Sequence, residues 1–186
     1  MTVALKGKQL AVYCGSRSGE LRCYSQETIA LGTLMARYGV TLIYGGARLG
    51  LMGALADAVL AGGGDVIGVI PESMVKSGVA HSNLKRLEIV ASMHERKSRM
   101  IALAHGMIAL PGGFGTMEEL FEALAWSQLR LHTKPVCLLN VNHYFDGLLS
   151  FLDRSVEEGF VSIMHRRLLL EAQTSADLLT HLSESL

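Results

Sequence analysis

The sequence carries no excess of either charge: 17 basic and 17 acidic side chains cancel across 186 residues. A neutral chain has no electrostatic footprint for wrapping nucleic acid or adhering to an anionic membrane, so any charged ligand must be met by local groups. Proline is scarce at three residues and charged residues make up only 18%, below the ~25% of ordinary soluble domains, which argues against disorder. Cys14, Cys23 and Cys137 are odd in number and form no CxxC pair. They read as reduced, buried thiols, with neither a disulfide framework nor a metal cluster behind them. Long hydrophobic runs are missing too: the stretch from Met100 to Pro111 is broken by His105 and Gly106, well short of the ~20 apolar residues that span a bilayer. Between Met1 and Gly15, Lys6 and Lys8 interrupt the apolar core that a signal peptide would need, so a cytoplasmic location is expected.

What the chain has instead is glycine, 20 residues of it, and a regular alternation of short apolar runs with longer amphipathic segments. That alternation predicts an α/β domain with a doubly wound, Rossmann-like parallel sheet, one domain over residues 1–186. Six strands are expected, at Leu10 to Cys14, Thr41 to Tyr44, Val66 to Ile70, Leu87 to Val90, Met107 to Leu110 and Val136 to Leu139. Helices are expected from Arg22 to Tyr38, Leu51 to Leu60, His94 to Ala104, Thr116 to Leu129, Tyr144 to Glu158 and Ala176 to Leu182. In the first of these, Tyr24, Thr28, Leu31 and Met35 form one stripe that Gly39 terminates.

Ligands of such sheets bind beyond the carboxyl ends of the strands. There the sequence opens three glycine-rich turns: CGSRSG from Cys14, YGGARLGLMG from Tyr44 and LPGGFGTMEE from Leu110. In the third, Pro111 stops the strand, the glycines let backbone amides approach a ligand, and Thr116 is placed to cap the following helix. Free amides and the helix dipole favour a phosphate at such a start. No GxxxxGK[ST] is present, and the dinucleotide pattern GxGxxG fails because Glu118 stands where its third glycine belongs. That acid favours a monophosphate over a pyrophosphate. Glu118 and Glu119 are expected in the first helical turn, either as a solvated capping pair or, for Glu119, as a working carboxylate. The expected core stripe of this helix is Met117, Leu120, Phe121 and Leu124, with Glu119 pointing away.

The segment Met93-His94-Glu95-Arg96-Lys97-Ser98 lacks the second histidine of an HExxH zinc site, and no metal site is expected. Arg96, Lys97 and Arg99 read as a solvated face, but Arg96 and Lys97 fall in the first turn, where cations oppose the dipole, which suggests a ligand or a carboxylate partner for them.

Together, PGGFGTMEE at 111–119 and SMHERK at 92–97 resemble the Lonely guy family, the cytokinin riboside 5′-monophosphate phosphoribohydrolases. The resemblance extends over CGS at 14–16, YGG with GLMG at 44–53, GVIP at 68–71 and WSQLRLHTKPVCLLN at 126–140. It implies hydrolysis of the N-glycosidic bond of a nucleoside 5′-monophosphate, a cytokinin riboside monophosphate or AMP, without a cofactor. The family often carries a lysine decarboxylase label, but no pyridoxal site is legible here. The resemblance also implies Arg96 and Glu119 as the catalytic pair, with phosphate on Gly113, Gly115 and Thr116. Gly15, Ser16, Gly45, Gly46, Met93, Lys97, Gly112, Phe114 and Glu118 complete the implied substrate-binding set. A homodimer is implied as well, and apolar Trp126, Leu129 and Leu131 either serve it or cover the sheet. Three positions depart from the family pattern: Gly78 stands where an acid is common, Ala125 where Thr is common and Ala47 where Gly is common. A non-catalytic nucleotide-binding protein on the same fold is the main alternative, and a purely structural assembly protein fits the glycine-rich turns poorly.

Overall fold

The computed structural model describes residues 5–186; the first four positions of the N-terminal stretch considered above lie outside them. Seven strands are present among the described residues: β1 (Gln9–Tyr13), β2 (Thr41–Tyr44), β3 (Val66–Pro71), β4 (Arg86–Val90), β5 (Gly106–Ala109), β6 (Val136–Leu139) and β7 (Leu169–Ala172). They form one sheet in the order β4-β3-β2-β1-β5-β6-β7, and every pairing is parallel. The helices are α1 (Arg22–Arg37), α2 (Gly50–Ala61), α3 (Glu72–Lys76), α4 (Met93–Leu103), α5 (Phe114–Gln128), α6 (Asp146–Glu157), α7 (Ile163–Arg166) and α8 (Ser175–Ser185).

Side chains alternate across the strands because the period of a strand is two. Leu10, Val12 and Cys14 pack with Leu31 and Met35 of α1, Leu55 and Val59 of α2, and Leu178 and Leu182 of α8. Ala11 and Tyr13 face the other way, with Met100 of α4, Leu120 and Ala123 of α5 and Leu152 of α6. Burial on both faces is what makes these strands near-continuous apolar runs.

The chain leaves β1 toward β2, β3 and β4, then returns through α4 to place β5 on the other side of β1. The strand order therefore reverses between β1 and β5, the location where such sheets open a crevice at their carboxyl edge.

Local chemistry explains the helix ends. Gly39 has φ +66° directly after α1, a conformation that costs glycine nothing. Ser92 caps α4 by accepting from the Glu95 amide at 3.1 Å, and the Glu95 carboxylate accepts from the Ala91 amide at 2.8 Å, a reciprocal cap that fixes where α4 begins.

Several expectations need correction. β7 is a seventh strand, paired from Val136↔Leu169 to Leu139↔Ala172; four residues directly after a helical turn carry too little pattern to announce it. The short helices α3 and α7 were not expected. The fifth expected helix segment begins at Asp146, not Tyr144, because Asn142 and His143 adopt positive φ in the preceding 3-10 turn. Helix α5 starts two residues early, at Phe114. Its N-cap is Gly113, with no side-chain cap, so Thr116 lies inside the first turn and does not cap it. No acid falls in that turn, which places Glu118 and Glu119 one turn further in. Its buried residues are Thr116, Glu119, Leu120 and Ala123, at spacings of three, one and three, so Glu119 points inward and Phe121 outward. The apolar positions misled because this helix turns two polar residues toward the protein. Leu129 and Leu131 are 66% and 67% exposed and do not cover the sheet.

Candidate active site

The three glycine-rich turns interlock at the carboxyl edge. The Gly15 amide donates to the Pro111 carbonyl at 3.1 Å, and the Gly15 carbonyl accepts from the Leu51 amide at 3.1 Å. A Cβ at Gly15 would lie 3.3 Å from the Gly112 Cα, and one at Gly50 would collide with the Ser16 backbone. Glycine is required here by backbone packed on backbone.

A cleft of about 550 Å³ opens on this junction, lined by Gly15, Ser16, Arg17, Gly112, Gly113 and Phe114, with Tyr24 and Tyr144 among its walls. The Tyr144 hydroxyl donates to the Gly112 carbonyl at 2.7 Å, and its ring meets Tyr24 edge to face at 5.8 Å. Phe114 is 97% exposed on the rim. Gly113 and Gly115 face open space where a Cβ would be. The first-turn amides of α5, which no intrahelical carbonyl can satisfy, are therefore approachable by an anion.

Beside the cleft lies a buried ion pair. Arg96 Nη2 donates to Glu119 Oε1 at 2.9 Å, with 8% and 7% of the two side chains exposed. Arg96 comes from the first turn of α4 and Glu119 from the second turn of α5, so the crossover between β4 and β5 brings them together. Among the described residues Arg96 Nη1 meets the sulfurs of Met93 at 3.8 Å and Met74 at 4.0 Å, and Arg96 Nε is buried without a hydrogen-bond partner. A guanidinium with donors left over is poised for ligand oxygens. Gly45, at the end of β2, makes room for it: a Cβ there would collide with Arg96 Nη2.

Burial pushes the Glu119 carboxyl up to about 7, against the attraction of Arg96 and with a further upward push from Glu118 and Glu122. Tyr13, at the end of β1, is raised by burial and then by Glu119 and Glu122, and burial also raises the Cys14 thiol. Both stay protonated, so Glu119 is the group of this trio that changes charge near neutrality.

Lys97 is 4% exposed and turns from Arg96 to a different pair of acids, Glu118 Oε1 at 2.7 Å and Glu122 Oε1 at 3.1 Å. Burial works against its charge, but these hydrogen bonds outweigh it and hold its pKa above the usual lysine value.

The residues expected at the site thus divide. Gly15, Ser16, Gly112, Gly113 and Phe114 line the cleft; Arg96, Glu119, Gly45 and Met93 surround the ion pair. Thr116 packs against the cleft, where a Cβ on Gly112 would collide with its hydroxyl, and shares the buried face of α5 with Glu119. Gly46 stands apart. Its carbonyl accepts from the His81 amide at 2.9 Å, and a Cβ on it would lie 3.0 Å from Ile70 and 3.1 Å from Leu87. The next residue, Ala47, bridges to Ala80, which ties this turn to the segment carrying Gly78 at φ +72°. The sequence reading missed Glu122, Met74, Tyr24 and Tyr144. Glu122 was within reach, one helical turn beyond both Glu118 and Glu119.

Comparison with known proteins identifies the family. A family described as "Possible lysine decarboxylase" matches residues 52–182. A cytokinin riboside 5′-monophosphate phosphoribohydrolase of Arabidopsis thaliana is 43% identical over 95% of this chain and 82% of its own length. One from Oryza sativa subsp. japonica is 44% identical over 95% of this chain and 73% of its own. Among solved structures, a molybdenum cofactor binding protein from Rippkaea orientalis superposes with a TM-score of 0.74 over 97% of this chain and 98% of its own, at 18% identity, a likeness of fold alone. With relatives this similar along nearly its whole length, the chain belongs to the Lonely guy family.

Proposed function

We propose that this protein hydrolyses the N-glycosidic bond of a cytokinin riboside 5′-monophosphate, or of AMP, to release the free base and ribose 5-phosphate. The observation that carries the reading is the buried Arg96–Glu119 pair beside a glycine-lined helix start, and the family's phosphoribohydrolases supply the reaction class.

The geometry suits the chemistry in three ways. First-turn amides of α5 and the Thr116 hydroxyl receive the 5′-phosphate, assisted by the helix dipole. Thr116 and Glu119 share the buried face of α5, about 4.5 Å apart along its axis, so a phosphate held at the first turn sets the ribose at the level of the carboxylate. As the bond to the base breaks, positive charge grows on the ribose ring, and ionised Glu119 stabilises it and takes a proton from the attacking water. Arg96 fixes the carboxylate through Nη2 and offers its remaining donors to substrate oxygens. A carboxyl near 7 is matched to base catalysis at neutral pH.

The test is product analysis. Incubation with AMP and with an N6-substituted AMP yields free base and ribose 5-phosphate; binding without product would assign the protein to the non-catalytic nucleotide binders of this fold instead. We further propose a cytoplasmic homodimer that binds neither nucleic acid nor membrane. Zero net charge, free thiols at Cys14, Cys23 and Cys137, no described helix long and apolar enough to cross a membrane, and exposed apolar Phe121, Leu129 and Leu131 support it.

A further inference from the structure

We propose that Tyr144 is a positioning residue for the 5′-phosphate: its hydroxyl locks the Gly112–Gly113 peptide in the orientation that presents the Gly113 amide to the anion. The inference rests on the reading of the glycine-lined start of α5 as the phosphate site.

The need for a lock comes from the glycines themselves. Gly112 is required by packing, because a Cβ there would collide with Thr116 and lie 2.9 Å from the Gly15 amide nitrogen. Two glycines in succession, however, let the peptide between them turn over. A flip would carry Gly113 from φ −94° to positive φ, which glycine adopts at no steric cost. One orientation offers an N–H to an anion at the start of α5, and the other offers a carbonyl oxygen that repels it. A trans peptide points its C=O and N–H to opposite sides, and no cis bond is present among the described residues. Whatever holds the Gly112 oxygen therefore aims the Gly113 N–H.

Tyr144 holds that oxygen, donating to it at 2.7 Å. The Gly113 N–H has no backbone acceptor among the described residues and is left for a ligand. A phenol has one proton to donate, and here it is spent on the carbonyl, so Tyr144 acts through the peptide. The fold fixes Tyr144 in this place against local strain. Asn142 and His143, directly before it, have φ +50° and +58°, a conformation that residues other than glycine keep only where the surroundings over-determine it. Buried Asn140 does so: its Oδ1 accepts from the Phe145 amide at 2.8 Å, its Nδ2 donates to Asp146 at 2.7 Å, and its own amide donates to Ala172 of β7 at 2.8 Å. The Tyr144 ring in turn meets Tyr24 at 5.8 Å and Phe145 at 4.9 Å, both edge to face. A left-handed turn pinned to the sheet thus ends on the oxygen of one flexible peptide.

Y144F keeps the ring and removes only the hydroxyl. Inorganic phosphate is titrated into wild type and Y144F while the Gly113 amide resonance is followed by NMR, and AMP hydrolysis is measured alongside. In the wild type, phosphate is expected to move the Gly113 amide proton downfield. In Y144F the resonance of the free protein is expected to broaden as the peptide samples both orientations. Phosphate affinity is expected to fall about three- to tenfold, and KM for AMP to rise by the same factor with kcat within about twofold. Weaker phosphate binding with the Gly113 response of the wild type would make Tyr144 a direct anion contact and overturn the proposal. A lower Tm with affinity and response unchanged would make it a structural brace and overturn it equally, as would a wild-type Gly113 amide that ignores phosphate. If phosphate moves Gly113 but AMP yields no free base, the proposed reaction falls, and the phosphate titration still decides the role of Tyr144.

Discussion

Arg96 and Glu119 stand 23 positions apart in the chain and on different helices, yet Nη2 of one lies 2.9 Å from Oε1 of the other in a setting where neither side chain is a tenth exposed. A buried pair of this kind is a poor stabiliser, because removing two charges from water costs about what their attraction returns. Its value lies in orientation. Replacing Glu119 by Gln keeps the shape and a hydrogen-bond acceptor but removes the charge, so E119Q is expected to fold normally and to lose about 10²–10³-fold or more in kcat. Purified E119Q with wild-type turnover would remove Glu119 from the mechanism.

The raised carboxyl fixes a pH dependence. In the proposed mechanism Glu119 acts when ionised, so kcat/KM is expected to climb with pH along a limb centred near 7, where burial has pushed the group, and to level off above it. Stability runs the opposite way. The folded protein holds a proton on Glu119 between the ordinary value of 4.5 and about 7, so this group's contribution to stability is full below that window and is lost as pH rises through it. Scanning calorimetry should find E119Q gaining on the wild type as pH goes from 5 to 8. A constant difference would mean that Glu119 titrates normally.

The glycines separate packing from binding. Gly115 lies in the first turn of α5 and faces open space, so G115A is expected to hold or raise Tm, since Ala favours a helix over Gly by up to about 1 kcal/mol. The same methyl group would occupy the approach of a phosphate, so KM for AMP is expected to rise about tenfold or more. G45A is expected to do the reverse, shifting Arg96 and lowering kcat with little change in KM. Unchanged AMP binding in G115A would move the phosphate elsewhere.

Leu129 and Leu131 extend an apolar surface past the end of α5, with Phe121 exposed on the same helix. Charges introduced there, as in L129D or F121D, are expected to leave circular dichroism unchanged and to halve the mass found by sedimentation. A wild-type protein that sediments as a monomer would dispose of the dimer.

The inner strands were legible because they are buried on both faces, which makes runs such as Leu10 to Val12 and Val136 to Leu139 apolar throughout. β7 was not, since Leu169–Ala172 is an edge strand with Glu171 turned outward and follows directly on a helical turn. The site was half legible. Glycine and proline announced the turns, but the face of α5 could not be read from apolar spacing when Thr116 and Glu119 occupy its buried side. Periodicity finds the stripe that meets oil, and here the functional stripe meets charge. Nor could spacing say that Lys97 would find two acids, because that depends on how far α4 and α5 approach above the sheet.

The hydrogen bond from Gly15 to Pro111 ties the first strand's exit to the fifth's, across most of the interval in which the sheet is built. Contacts so distant in sequence form late, after the entropy of closing the intervening loop has been met. On the ribosome the first two glycine-rich turns emerge long before the third can lock them, so the candidate site cannot assemble until β5 and the start of α5 have joined the sheet. A fragment ending before β5 would have strands and helices but no place for a nucleotide to bind.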